Sequence, residues 1–383
     1  MLLANTVLAS AFPIQLLLGS LAGLILAPSP ALATLPASVQ TLAALVAAAP
    51  FSLLMGRMGR RAGFAVGGLT TCLGALAAMQ ALSSQSFELL CLGHFLMGAG
   101  WASFQYFRFA AAEVVEQTWR PVAISLMLTS GLVAAIVGPQ VFIAAKDAFV
   151  PIPFLGAYAA VALIGLLGLL PLAFVRMPRP VRAKKDGPAA AGAALRAALR
   201  RRPVRRAVAI AAVSQGVMVF LMIPTPIAMI GCGFSEAAAG DVVRWHIVAM
   251  FAPSFFTGFL IQRFGAQTIA TVGLLAIIAA ATAAASGLSA GHFYGALIVL
   301  GLGWNFGFIG ATAMLDAAVS EAEKAAVQGA NDTIIALVST GLAFAAGLVI
   351  AGAGWAVLAM MSGGIVLLAV AALAWDRTVA VET

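Results

Sequence analysis

Four side chains in two neighbouring apolar segments carry the chemistry most easily named in this sequence: Met218 and Met222 in the first, His246 and Met250 in the second. Each pair is spaced i, i+4, which on a helix puts both side chains on one face about a turn apart. Two thioethers facing an imidazole and a third thioether make a soft donor set, suited to Cu(I) and poorly suited to Mg, Ca or Mn. Were the segments antiparallel helices, Met218 and Met250 would both lie about 18–20 Å from the cytoplasmic ends, and Met222 and His246 about 24–26 Å. Pro224 and Pro226 follow Met222, remove backbone donors and predict a bend in the outer half of that helix. Met229, on nearly the same face as Met222, and Cys232 beyond it could lead metal inward from an outer mouth. The competing reading of every one of these residues is ordinary: methionines that pack, and a histidine bonded to a carbonyl.

Composition supplies the setting for such a site. The chain has 383 residues, of which 63% are hydrophobic and 9% charged. No soluble fold tolerates that balance. Twelve apolar runs recur at about 2–26, 32–55, 62–82, 88–111, 122–145, 152–175, 207–230, 241–262, 266–286, 292–314, 327–351 and 355–375. Strand-like alternation is absent from them, so the expectation is an all-α membrane protein with twelve transmembrane helices. The first run starts at Leu2 without a basic segment before it and reads as the first span, not as a removed signal.

A net charge of +8 invites a nucleic-acid partner, but more than half of the 21 Lys and Arg lie between Arg176 and Arg206. The positive-inside rule explains that cluster better. With the N-terminus in the cytoplasm, Arg57, Arg60, Arg61, Arg120, the 176–206 loop, Arg263, Lys324 and Arg377 are all cytoplasmic. Lys146 and Arg244 then fall on the outer side and Arg108 inside a helix. Both termini are therefore expected in the cytoplasm, with the lipid bilayer as partner and no nucleic acid. Cys72 and Cys91 sit in apolar runs as small hydrophobes, and three cysteines make no disulfide framework. Scattered histidines, no phosphate loop and no zinc-spaced cysteines argue against an enzyme, and no cofactor is expected.

The 176–206 segment divides the runs six from six, giving bundles at 1–175 and 207–383 with a basic cytoplasmic linker between them. Within it, Ala193 to Arg200 could be a short basic helix on the inner leaflet or a plain solvated linker. The halves repeat. Ser52-Leu53-Leu54-Met55-Gly56-Arg57-Met58-Gly59-Arg60-Arg61 follows the second run, and Gly258-Phe259-Leu260-Ile261-Gln262-Arg263-Phe264-Gly265 follows the eighth. Gly98-Ala99-Gly100-Trp101 has its counterpart in Gly301-Leu302-Gly303-Trp304.

These motifs resemble the major facilitator superfamily, whose loop signature reads G-x-L-x-D-R-x-G-R-R. Leu54, Arg57, Gly59, Arg60 and Arg61 match it, and the second copy keeps Gly258, Leu260, Arg263 and Gly265. The resemblance implies two six-helix halves that transport by alternating access. Gly56 and Gln262 stand where the family carries an acid, so the usual charge gate of that loop is in doubt.

The spacing Met-x-x-x-Met followed by His-x-x-x-Met is similar to the CcoA-like copper importers, a bacterial subfamily. That resemblance implies import of copper, as substrate, across the inner membrane for assembly of the cbb3-type cytochrome oxidase; the chain is expected to act as a monomer. Met218, Met222, His246 and Met250 would be the metal ligands. Phe107-Arg108-Phe109-Ala110-Ala111-Ala112-Glu113 and Gly303-Trp304-Asn305-Phe306 also look like this subfamily, and occur in relatives believed to carry riboflavin or other organic compounds.

Other polar residues within the runs have two readings each. Arg108 and Glu113 form a structural ion pair or couple protons, and His94 is a candidate proton site. Asp332, beside Asn331, gates the cytoplasmic side or caps a helix. Gly131 and Gly138-Pro139 match the Gly-Pro motif of drug exporters only in part. The alternative to copper import is a carrier of an organic solute such as riboflavin or a drug, with Trp101, Phe104, Tyr106 and Trp304 as a stacking surface. A third reading is a transporter-like sensor that binds metal without moving it.

Overall fold

The computed structural model describes residues 1–107, 110–111, 114–116, 120–175, 177 and 195–378, and among these the chain is helical with no strand. The helices are α1 (Leu2–Ala9), α2 (Ala11–Leu26), α3 (Leu35–Met58), α4 (Arg60–Ser84), α5 (Phe87–Phe104), α6 (Arg120–Ala145), α7 (Leu155–Leu167) and α8 (Leu169–Phe174). There follow α9 (Arg202–Met222), α10 (Thr225–Gly231), α11 (Glu236–Phe251), α12 (Ser254–Phe264), α13 (Ala266–Ala285), α14 (Ala290–Ala318) and α15 (Glu321–Thr378). Among the described residues, nine helical stretches are long and apolar enough to cross a bilayer, ten when the bent pair α11 and α12 counts as one span. The two remaining runs are present in other forms. Ser130–Ala145 is a shorter apolar stretch within α6, and α15 holds two runs joined at Gly354, whose φ of 80° and ψ of 178° interrupt the helix. The chain is thus an all-α membrane protein.

The predicted bend after Met222 is a break. Helix α9 ends there, Ile223 and Pro224 form a turn, and α10 restarts at Thr225 with Pro226 in its first turn, where a missing N–H costs nothing. The Ser20 hydroxyl donates to the Ile223 carbonyl at 2.7 Å.

Contacts gather the helices into two compact units, Met1–Arg182 with Ile223–Phe251, and Ala183–Met222 with Ala252–Thr383. In the first unit, Lys146 just beyond α6 bonds Asp147 at 2.5 Å and Glu236 at the start of α11 at 2.9 Å. The Asp147 hydrogen bond, followed by Glu236, raises the Lys146 pKa above 10.5, so its stabilisation is present below that value and lost as pH rises through the higher folded one. Lys146→Met is expected to lower the Tm measured in detergent only slightly, by about 1 kcal/mol of stability or less, because Asp147 is exposed and the pair is screened.

Small residues let the spans approach, the way helices pack where lipid offers no hydrophobic drive. In the first unit α4 and α5 meet glycine to glycine: a Cβ on Gly74 would lie 2.5 Å from the Gly93 carbonyl oxygen. In the second unit the corresponding pair, α13 and α14, does the same, with a Cβ on Gly273 2.1 Å from the Gly307 nitrogen. The loop motifs also fold alike. Gly59 (φ 92°) and Gly265 (φ 84°) occupy a conformation that side chains disfavour, and each donates its N–H four residues back, to Met55 at 2.9 Å and Ile261 at 2.8 Å. A tight turn at the same register in both halves is what the repeated sequence predicts.

Residues 195–200 are helical, as one of the two linker readings expected, but they do not form a free surface helix. Ala198 is buried, with Leu195 and Leu199 beside it, in a cluster of Val204, Ala207, Val208, Leu315 and Val327. Arg201 reaches Glu323 at 3.0 Å. The i, i+3, i+4 spacing of Leu195, Ala198 and Leu199 gives this turn an apolar face that the second unit covers.

Candidate functional site

Buried polar side chains in apolar helices are costly unless paired, so each one found there is a place where the fold has been made to accommodate it. In the first unit four of them form a chain across α2, α3, α5 and α7. Gln40 Nε2 donates to Gln15 Oε1 at 3.1 Å, Gln40 Oε1 lies 2.9 Å from His94 Nδ1, and His94 Nε2 lies 2.8 Å from the Tyr158 hydroxyl. With Gln40 so oriented its oxygen can only accept, so Nδ1 carries the ring proton and Nε2 accepts from Tyr158. All four side chains are buried. His94, expected as a proton site, is held at both nitrogens and pins three helices.

Beside this chain, one turn from Gln15, Phe12 stacks on Trp101 with centroids 4.2 Å apart and planes 17° apart. Both rings are only half-buried. Phe104 packs edge-on against Trp101 but is buried in a cluster with Phe64 and Phe107. The Tyr106 hydroxyl donates to the Ala48 carbonyl at 3.0 Å, and Arg60 lies 5.7 Å over its ring. Of the proposed stacking residues in this unit, Trp101 is therefore the one that offers a ring.

The second unit carries its own aromatic pair. Trp304 and Phe308, i and i+4 on α14, stack at 5.1 Å and 14°, and the Trp304 indole donates to Gln215 Oε1 on α9 at 2.6 Å. Next to Trp304, Asn305 accepts from Thr257 at 2.7 Å and donates to Ser254 at 2.8 Å. That pair fastens α14 to the start of α12, just past the break at Pro253.

The expected metal ligands lie on two helices. Met218 and Met222 are buried on α9 and belong to the second unit; His246 and Met250 are buried on α11 and belong to the first. Met229 is fully buried on α10, and Cys232, its C-cap, is exposed as a free thiol. No group of three or more His, Cys, Asp or Glu side chains gathers among the described residues.

Arg108 and Glu113 lie outside the described residues. Asp332 is exposed on α15 and accepts from Asn331 at 3.2 Å. In the loop motifs Arg57 and Arg61 are exposed, Arg60 also lies 3.7 Å from the Met55 sulfur, and Arg263 sits 5.4 Å over the Phe264 ring. At Gly56, where the family carries an acid, and at Gly258 an added Cβ would touch nothing within 4 Å.

Phe12, Gln15, Gln40, Tyr158, Gln215 and Phe308 were not foreseen. A signal for three of them exists: Gln15, Gln40 and Gln215 are lone amides inside apolar runs, as noteworthy there as a histidine. Within the second unit, an aromatic stack with an amide at its edge suits a flat, uncharged molecule with polar edges.

Many apolar spans, glycine seams repeated in each unit and twin loop turns mark a duplicated helical fold, and the Major Facilitator Superfamily model matches residues 1–340. The chain belongs to that family. It is 40% identical to the riboflavin transporter RfnT of Brucella anthropi over 92% of this chain and 88% of that protein. It is 31% identical to YdeG of Bacillus subtilis, an uncharacterised transporter of the same type, over 91% of this chain and 84% of that one. Among solved structures, the xylose transporter XylE from E. coli superposes with a TM-score of 0.74 at 12% identity, covering 98% of this chain and 96% of that chain.

The first relative overturns copper import. A protein sharing two residues in five along nearly the whole chain is a riboflavin transporter. Methionine is a common packing residue in apolar helices, and equal depth is shared by any two residues placed symmetrically in antiparallel spans, so neither feature by itself marks a copper path.

Proposed function

We propose that this protein is a secondary transporter of riboflavin, importing it across the bacterial inner membrane by alternating access, as a monomer with both termini in the cytoplasm. The observation that carries the reading is the 40% identity to a riboflavin transporter across 92% of the chain. The chemistry is compatible. Riboflavin is a flat, uncharged tricycle with carbonyl and ring-nitrogen edges and a polyhydroxyl tail. Each unit holds an aromatic stack and a glutamine: half-buried Phe12–Trp101 with Gln15 one turn along α2, and buried Trp304 under half-buried Phe308 with Gln215 bonded to the indole. Rings meet the tricycle by offset stacking, and amides pair with its edges.

The test is uptake of radiolabelled riboflavin by a riboflavin-requiring strain that lacks its own importer. Expression of the chain is expected to restore growth on low riboflavin and to give saturable uptake. Trp101→Ala is expected to lower uptake at subsaturating riboflavin about tenfold, by removing a stacking face. Native protein in the membrane with no uptake above the empty-vector level would sink the proposal.

A further inference from the structure

Trp304 settles the orientation of Gln215. An indole N–H can only donate, so the Gln215 atom 2.6 Å from it must be the amide oxygen. The NH2 end is then turned away from Trp304 and has no partner among the described residues. It is not a sealed-off atom either, since Gln215 is half-buried and its nitrogen is absent from the buried polar atoms that lack a bond. The result is an amide whose oxygen is held against the indole and whose two N–H donors are turned the other way, beside an aromatic stack whose other member, Phe308, is half-buried. Trp304 itself is held on both sides in sequence: Asn305 fastens its helix to α12, and Phe308 covers its ring one turn on.

A preset donor beside a ring stack discriminates. It accepts a flat molecule whose edge bears a carbonyl oxygen or an unprotonated ring nitrogen. It rejects one with a donor or an apolar edge there, because the amide would be left unpaired. We propose that Gln215, positioned by Trp304, is a specificity-determining residue that bonds an acceptor edge of the flavin ring system, and that Trp304 acts through Gln215 as a positioning residue. This rests on the riboflavin reading above and deepens it by assigning which edge of the molecule Gln215 reads.

The experiment measures riboflavin binding to the full-length protein in nanodiscs by quenching of flavin fluorescence, with lumichrome and ribitol as competitors. Lumichrome carries the ring carbonyls without the tail, and ribitol resembles the tail without the rings. For the native protein, lumichrome is expected to compete and ribitol not to. Gln215→Glu, which turns the donor end into an acceptor, is expected to raise Kd more than about tenfold, and Gln215→Met, of similar shape without polarity, about tenfold. Trp304→Phe keeps the ring but loses the N–H that locks the amide, so a smaller rise is expected, with lumichrome still competing.

Should Gln215→Glu not fold, Gln215→Met decides. Native Kd and native lumichrome competition in whichever Gln215 variant folds overturns the assignment, and a Trp304→Phe Kd equal to the native value overturns the positioning role. Failure of the native protein to bind riboflavin at all overturns the transport reading instead, a result that no Gln215 variant could mimic.

Discussion

Gly273→Leu is expected to remove most folded protein from the membrane, the largest stability effect of any single substitution considered. Even alanine at this position would put a Cβ 2.1 Å from the Gly307 nitrogen and 2.7 Å from the Gly303 carbonyl oxygen. Both are backbone atoms of α14, so no rotamer change relieves the contact and the two helices must separate. Overpacking of this kind costs about 1–3 kcal/mol or more, and leucine adds three further carbons to the same seam. Gly307 is a contrast: a Cβ there meets first the Ser214 hydroxyl, at 2.4 Å, which belongs to a small side chain. Gly295, on the same helix α14, supplies the opposite sign. Nothing lies within 4 Å of a Cβ added there, so Gly295→Ala is expected to stabilise by up to about 1 kcal/mol through helix propensity. Yield of monodisperse protein and Tm in detergent measure all three. A native Tm for Gly273→Ala would show that the seam is looser than its geometry states.

His94→Leu is the second large effect, and it acts on polarity. The substitution removes the partner of Gln40 Oε1 and of the Tyr158 hydroxyl together, leaving two buried polar groups without it. Each orphaned group costs about 1–3 kcal/mol, toward the low end in a bilayer because alternative bonds form in the unfolded reference state as well. The expected result is a fall in Tm well beyond that of Tyr158→Phe, which removes one hydroxyl and keeps the ring. In the double variant His94→Leu, Tyr158→Phe the two losses should not add, since both remove the same bond. Strict additivity would mean that the 2.8 Å contact contributes nothing. The proposed riboflavin reading brings in the same residues, since Gln15, at the end of the chain, lies one turn from the Phe12–Trp101 stack. Loss of His94 is therefore expected to depress riboflavin uptake beyond what the reduced protein level explains.

The spans were legible because a bilayer leaves the backbone one economical choice. Apolar runs of about 20 residues must be helices, since nothing else satisfies their N–H and C=O groups in hydrocarbon. Each of the twelve runs is mainly helical where it is described, including the joined pair in α15 and the bent pair at Pro253. The break at Pro224 and the turns at Gly59 and Gly265 were legible for the same reason: proline and glycine restrict or widen φ locally, whatever surrounds them. The duplication showed in the repeated loop motifs and in the glycine-tryptophan pairs.

Partnership was not legible. Gln15, Gln40, His94 and Tyr158 come from four different runs, and their meeting depends on how far each helix is rotated about its axis. That rotation is set by close-packed neighbours, not by any residue's own preference. The same holds for Gln215, whose amide has a direction only because Trp304, 89 positions later, donates to it. The four soft donors illustrate the limit from the other side. Their i, i+4 spacing and matched depth are properties of single helices and were readable. Met218 and Met222 belong to one unit and His246 and Met250 to the other, and no single-helix property says whether the four meet. By itself, then, the sequence determined a duplicated, multi-span helical transporter, because the membrane constrains every segment separately. Which buried side chains face one another was decided only by tertiary packing, where a side chain's chemistry depends on what lies across from it.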